Sequence, residues 1–403
     1  MPHDVSLIST VAIGLSFAFV GGWLAVRIGL PPLVGYLLAG IVVGPFTPGF
    51  VADQKLAPQI AEIGVVLLMF GVGMHFSVGD LWAVRRIAVP GAIGQIAVAT
   101  ALGAGISRLW GWDLDDGLMF GLALSVASTV VLLRALEDRG LVHTADGRIA
   151  IGWLVVEDLV MVLALVLLPA LAGALGPTTH AGAPSLGGAI ATTLGKVIAF
   201  VGLMLVVGKR VFPWLLRRVE RTNSRELFTL AVIALSLGVA FGSAELFGVS
   251  LALGAFFAGM VVHESDLSHR AARELLPLQD AFGALFFVAV GMLFDPSVLV
   301  REPLRVLVVV LIIVIGKSLA ALGIVLLLRG SMHTALTVSA ALAQIGEFSF
   351  ILAALGVSLG LLAPETQSLI VAGALISITL HPIVFRALAR PSRRENEKRV
   401  ANP

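Results

Sequence analysis

Leu33-Val34-Gly35-Tyr36-Leu37-Leu38-Ala39-Gly40-Ile41-Val42-Val43 returns 219 residues later as Ala252-Leu253-Gly254-Ala255-Phe256-Phe257-Ala258-Gly259-Met260-Val261-Val262, with both glycines, one alanine and the two closing valines in register. Gly73-Met74-His75-Phe76 returns as Gly291-Met292-Leu293-Phe294 at an offset of 218. Two matches at nearly one spacing read as an internal duplication, a device frequent in membrane transporters. The competing explanation is chance likeness between two Gly/Ala-rich apolar helices.

Outward from these segments the whole chain is apolar. Of 403 residues 58% are hydrophobic and only 13% charged, and the mean hydropathy is +1.01. That leaves too little polar surface for a water-soluble body, and runs of about twenty apolar residues recur throughout. The composition predicts an all-α integral membrane protein. The pI of about 9.3 accompanies a net charge of only +2, with the basic residues set between apolar runs, so nucleic acid is excluded as a partner. With no cysteine, disulfides, thiolate metal sites and cysteine nucleophiles are excluded as well. The first apolar run lacks a basic leader and a small-residue cleavage motif, and reads as a retained span.

Spans are expected near 6–26, 32–44, 58–76, 83–107, 116–135, 148–172, 186–208, 226–245, 249–262, 278–294, 304–328, 333–356 and 365–388, about thirteen transmembrane helices. With this division, 21 of the 27 Lys and Arg fall on one set of connections and the C-terminus, four (Lys55, Arg108, Arg301, Arg305) on the other, and Lys196 and Lys317 inside spans. The positive-inside rule then predicts the N-terminus outside and the C-terminus cytoplasmic. Span two pairs with nine and three with ten, seven helices apart, so the halves are expected as two inverted six-helix repeats. The expected layout is 1–175 for the first repeat, 176–223 for a linker helix and basic loop, 224–390 for the second repeat, and 391–403 for a short cytoplasmic tail without a nucleotide-binding regulatory domain.

The same offset lays Ser128-Thr129 on Gly346-Glu347. Ser125-Val126-Ala127-Ser128-Thr129-Val130-Val131 sets small hydroxyl residues beside a β-branched run, and Ala343-Gln344-Ile345-Gly346-Glu347-Phe348-Ser349 puts Gln, Gly and Glu into an apolar span. Both read as helix breaks, whose freed carbonyls and N–H groups can serve an ion; the alternative is a Ser/Thr pair bonded back to its own helix as packing glue.

Ionisable residues at membrane depth each cost about 2.5–3.5 kcal/mol on insertion scales, so Glu157, Asp158, Lys317 and Glu347 require partners or a watery path. Asp158 lies about 15 Å into its span, near the midplane. The repeat offset carries Asp158 onto Ile376 and Lys317 onto Ala99, so these charges have no counterparts and point to function rather than architecture. Glu157 and Asp158 project about 100° apart on a helix. Asp158 is expected to face a cavity and exchange a proton for a cation, Glu157 to pair with Lys317, and Glu347 to neutralise a half-helix N-terminus. A purely structural Glu157–Lys317 bridge with Asp158 as bystander is the bland alternative. Glu62 and Glu245 read as interfacial, Lys196 as snorkelling, and His75, His333 and His381 as span-end residues with structural or pH-sensing roles open. No phosphate loop, zinc motif or nucleophile elbow is visible.

The chain resembles the cation:proton antiporter-2 family, Kef-type and YbaL-like, and more distantly the NapA and NhaA sodium/proton antiporters. The resemblance rests on Gly-Tyr-Leu-Leu-Ala-Gly at 35–40, Ala61-Glu62-Ile63-Gly64, Leu124-Ser125 through Ser128-Thr129, the run from Gly147 to Leu159 that holds Glu157-Asp158, and Gln344-Ile345-Gly346-Glu347-Phe348. It implies a thirteen-helix homodimer with an elevator-like core bundle, two crossed broken helices, a transport aspartate at Asp158 and a core lysine at Lys317 able to pair with the preceding carboxylate. Kef proteins carry Gln-Asp and electrogenic sodium antiporters Asp-Asp where this chain has Glu157-Asp158, so ion choice and stoichiometry do not simply carry over. The expected function is exchange of a monovalent cation, potassium before sodium, for protons across a bacterial-type inner membrane, without a cofactor and without enzymatic chemistry. The cation and proton are expected at Asp158, Ser128 and Thr129. A sodium-coupled solute symporter would need a larger polar cavity, a cation channel a repeated filter, and an intramembrane aspartyl enzyme a second catalytic aspartate on another span.

Overall fold

Apolar runs this long can satisfy their backbone in a bilayer only as helices. The computed structural model describes residues 6–48, 56–75, 78–175 and 186–388 and contains helices and no strand among them. Lys55, the first part of the expected linker (176–185) and the expected tail 391–403 lie outside the described residues. The first nine α-helices are α1 (Ser6–Arg27), α2 (Pro32–Val42), α3 (Leu56–His75), α4 (Val78–Leu109), α5 (Leu114–Ser125), α6 (Thr129–Glu137), α7 (Ala145–Leu175), α8 (Leu186–Leu203) and α9 (Lys209–Glu220). They are followed by α10 (Arg225–Phe247), α11 (Leu251–His263), α12 (Ser268–Met292), α13 (Val298–Arg301), α14 (Pro303–Leu311), α15 (Lys317–Leu327), α16 (Met332–Ala341), α17 (Glu347–Ser358) and α18 (Pro364–Leu388). π-helical turns at Met204–Gly208 and Ile312–Gly316 join α8 to α9 and α14 to α15.

Serine hydroxyls start several of these helices by accepting an N–H of the first turn: Ser224 from Leu227, Ser250 from Leu253 and Ser331 from Thr334, at 3.0–3.3 Å. Gly248, with φ of 63°, ends α10 in the left-handed conformation that favours glycine. Among the described residues ten helical stretches are long and apolar enough to cross a membrane, and Pro32–Val42, Leu251–His263 and Glu347–Ser358 are shorter apolar helices. The chain is a multi-pass membrane protein.

Two of the expected spans, 116–135 and 333–356, are each two helices. The chain leaves helical geometry at Val126 (φ −85°, ψ 134°) between α5 and α6, and again before Gly346 (φ −121°, ψ −167°) between α16 and α17.

The chain forms two compact units that do not follow sequence order. One comprises Met1–Gly22, Gly35–Phe76 and Val162–Leu293; the other Trp23–Val34, Ser77–Met161 and Phe294–Pro403. The first is held by helix crossings too tight for side chains. A Cβ on Gly40 would lie 2.8 Å from the Gly291 Cα, and one on Gly291 would lie 2.9 Å from the Gly40 Cα. A Cβ on Gly73 would meet the Met260 nitrogen at 3.0 Å, and one on Gly259 the Met74 nitrogen at 3.0 Å. The second unit buries Trp153, Leu132, Leu136, Ala335, Val338 and their neighbours in one apolar cluster, with α4 packed on α5 and α15 on α16.

Candidate functional site: two broken helices and four buried charges

Breaking a helix orphans backbone donors and acceptors, which must find partners away from water. In the second unit the two breaks serve one another. The Gln344 side chain accepts the Ser128 N–H at Oε1 (3.1 Å) and donates from Nε2 to the Ser128 carbonyl (3.1 Å). A side-chain amide thus pairs with a backbone amide, as a neighbouring strand would. The approach is close enough that a Cβ on Gly346 would lie 2.5 Å from the Ser128 Cα and 2.7 Å from its nitrogen. The Ser128 hydroxyl caps α6 by accepting the Val131 N–H at 3.3 Å.

The charges that the sequence singles out are all here. Glu157, Asp158, Lys317 and Glu347 are 0%, 2%, 0% and 4% exposed. Glu157 takes the orphaned Ala127 N–H on Oε2 (3.0 Å) and the Trp153 indole N–H on Oε1 (3.1 Å). Lys317 Nζ donates to the Gln344 carbonyl at 3.0 Å. The expected Glu157–Lys317 contact bridge is therefore corrected: the ion pairs found among the described residues do not include it. The reason is the breaks themselves, because the acid is engaged by a freed N–H of one and the base by a freed carbonyl of the other. The two side chains still feel each other's charge.

Asp158 accepts the Thr129 hydroxyl on Oδ2 at 3.1 Å, while its Oδ1 is buried without a partner. Asp158 is thus brought beside Thr129 and its chain neighbour Ser128. The Ser128 carbonyl is taken by Gln344 and the Leu132 N–H. Glu347 opens α17 behind Gly346, which has no side chain with which to cap, and its Oε2 is also buried without a partner.

Three supporting side chains escaped the sequence reading. Gln95 of α4 donates Nε2 to the Ser125 carbonyl at 3.2 Å, where α5 ends. Trp153 holds Glu157, and Ser318 donates to the Ser339 carbonyl at 3.1 Å. The available signals were a lone amide in an apolar span and an indole four residues before a buried acid. Of the histidines, His381 is buried with Nε2 3.1 Å from the Ala340 carbonyl, and His333 meets Asp146 with Nδ1 at 2.5 Å; the His75 side chain lies outside the described residues. Lys196 and the carboxylates Glu62 and Glu245 are exposed.

Residues 15–390 match the family described as sodium/hydrogen exchanger, transmembrane. The chain belongs to this family. Within it, the resemblance to Kef-type cation:proton antiporter-2 membrane proteins holds. The chain is 60% identical over 390 residues to YbaL of Escherichia coli (strain K12), designated a cation/proton antiporter, covering 97% of this chain and 70% of that protein. It is 33% identical over 387 residues to K(+) efflux antiporter 4 of Arabidopsis thaliana, covering 96% of this chain and 64% of the plant protein. Its fold is similar to that of the sodium proton antiporter MjNhaP1 from Methanocaldococcus jannaschii, with a TM-score of 0.72 over 96% of this chain and 99% of the other at 16% identity.

Proposed function

We propose that this exchanger-family protein is a secondary active monovalent cation/proton antiporter in which one carboxylate, Asp158, carries either the cation or the proton. The observation that carries the reading is the state of that side chain: buried in a membrane-spanning helix, one oxygen fixed by Thr129, the other unpartnered, beside the crossing of two broken helices. A buried unpartnered charge is costly, so the site is completed by an ion or neutralised by a proton. Competition for the same oxygens makes the two fluxes interdependent. Glu157 and Lys317 are the fixed counter-charges, holding the breaks open through Ala127 and Gln344. Thr129 orients the carboxylate and Ser128 forms the crossing. Potassium is the favoured ion over sodium, on the strength of the plant potassium efflux antiporter relative.

The protein works as a homodimer in a bacterial-type inner membrane, N-terminus outside and C-terminus cytoplasmic, by elevator-type alternating access. Thirteen spans in two inverted repeats, 1–175 and 224–390 about the 176–223 linker, underlie that motion. The glycine crossings support the repeat. At its spacing Gly40 corresponds to Gly259 and Gly73 to Gly291; Gly40 meets Gly291 while Gly259 meets the turn that contains Gly73, so one crossing maps onto the other. The Gly21–Gly35 approach maps likewise onto Ala240–Gly254, and Ser128–Gly346 maps onto itself. Among the described residues the ten long stretches, the short α2 and α11, and the α16–α17 pair support a count of thirteen.

Proteoliposomes holding a pH dye test the proposal. Adding potassium or sodium should move protons through the wild type, and Asp158→Asn should abolish that movement while the purified variant keeps its thermal unfolding temperature. Wild-type exchange by the variant would remove Asp158 from the site.

A further inference from the structure

Asp158 is not the sole acid whose outer oxygen has nothing to hold. Glu347 is 4% exposed, its Oε2 is buried and unpartnered, and it begins α17 as Thr129, the Asp158 partner, begins α6. Contacts run unbroken between the two acids. Asp158 accepts the Thr129 hydroxyl, Thr129 follows Ser128, Ser128 lies against Gly346, and Glu347 follows Gly346. The Ser128 hydroxyl lies beside the Glu347 carboxylate.

We propose that Glu347 is a second direct ligand of the transported monovalent cation, its Oε2 and the Asp158 Oδ1 converging on the ion where the two broken helices cross. The inference rests on the reading of Asp158 as the transport carboxylate and deepens it. Serving only to neutralise the α17 N-terminus would give Glu347 no reason to leave an oxygen unpaired inside the protein. Among the described residues the one buried Lys or Arg is Lys317, which donates to the Gln344 carbonyl. Among the described residues three buried acids against one buried base leave room for positive charge, and the two acids with unpartnered oxygens are the pair at the crossing. Hard alkali cations select oxygen donors, and a second carboxylate strengthens such a site and sets its size.

The test measures the apparent KM for potassium and for sodium in proteoliposomes of the full chain, with unfolding temperature as the structural readout. Glu347→Gln should raise KM at least tenfold while the unfolding temperature stays within about 3 °C of wild type. Glu347→Asp keeps the charge but withdraws the oxygen by one methylene, and should change the potassium-to-sodium KM ratio at least threefold. A Glu347→Gln variant with lowered unfolding temperature and unchanged KM overturns the proposal and leaves only neutralisation of the helix end. Where Glu347→Gln does not fold, Glu347→Asp decides, since an unchanged KM and ratio overturn it equally. Both variants retain Asp158, so active Asp158→Asn protein would defeat the underlying reading, whereas these outcomes bear on Glu347 itself.

Discussion

The two compact units spend their polar residues in opposite ways. Among the described residues of the unit containing α3, α11 and α12, the buried polar side chains are uncharged (Thr10, Ser236, Ser243, Ser265), and the ion pairs Lys209–Glu264, Arg217–Asp266, Arg225–Glu274 and Arg270–Glu220 have at least one exposed or half-exposed partner. The other unit holds all four buried charges found among the described residues, and every buried polar side-chain atom found without a partner: Gln95 Oε1, Thr100 Oγ1, Asp158 Oδ1, Ser297 Oγ, Thr337 Oγ1, Glu347 Oε2 and Ser349 Oγ. Glycines bring backbones together in both, but to different ends. Gly40 and Gly291 join two intact helices, while Gly346 sits where two helices stop. One unit is packed to be left alone, and the other keeps unsatisfied groups at a cost that packing alone would not tolerate.

That contrast can be broken at its sharpest point with one methyl group. Gly346→Ala must push the Ser128 backbone away, so it should abolish exchange and destabilise by about 1–3 kcal/mol or more. Gly40→Ala crowds backbone just as severely in the other unit. It should lower the unfolding temperature comparably, yet the protein that remains folded should exchange normally. Equal loss of turnover per folded molecule, by transport assay normalised to monodisperse protein, would erase the distinction.

Lys317→Gln leaves Asp158 and the Gly346 crossing in place and should act chiefly on stability. Removing one member of a buried charged network typically costs about 3–5 kcal/mol, and here it also weakens the hold on the Gln344 carbonyl. Because Glu157 and Lys317 act on each other without contact, adding Glu157→Gln should recover only part of the loss. A double-mutant cycle on unfolding temperature measures this. Full recovery would restore the direct bridge, and strict additivity would dissolve the coupling.

The smallest effect is expected at the exposed ends of the first unit. Lys209→Gln removes a 2.7 Å ion pair whose partners are 39% and 45% exposed, and should shift the unfolding temperature by less than about 2 °C with transport unchanged.

The comparison also separates what was legible in the sequence from what was not. Gly40, Gly73, Gly259 and Gly291 could be read because close helix crossings demand small residues, and these four recur at nearly one spacing. Asp158, Lys317 and Glu347 could be read because charge at membrane depth is rare and expensive. The partners were harder. Glu157 and Lys317 invite pairing by sign, but the pairing ignores the N–H and C=O groups that the breaks set free, and those lie far away in sequence. Gln344 was visible as a polar intruder; that it would grip Ser128, 216 residues earlier, depends on the crossing and on nothing local. Gln95 carried still less signal, one amide in a long apolar helix.

The π-turn at Ile312–Gly316 ends on the residue before Lys317. Such a turn amounts to one surplus residue lodged in an α-helix, and each residue of an α-helix advances the azimuth by about 100°. Relative to α14, the lysine and all of α15 are therefore one step out of phase. Losing a single residue from this stretch would return the helix to regular winding and leave the lysine aimed as before, whereas regular winding at the present length would swing the ammonium about a quarter-turn off the Gln344 carbonyl. The aim of the buried base thus depends on how five apolar residues wind, as well as on the lysine itself.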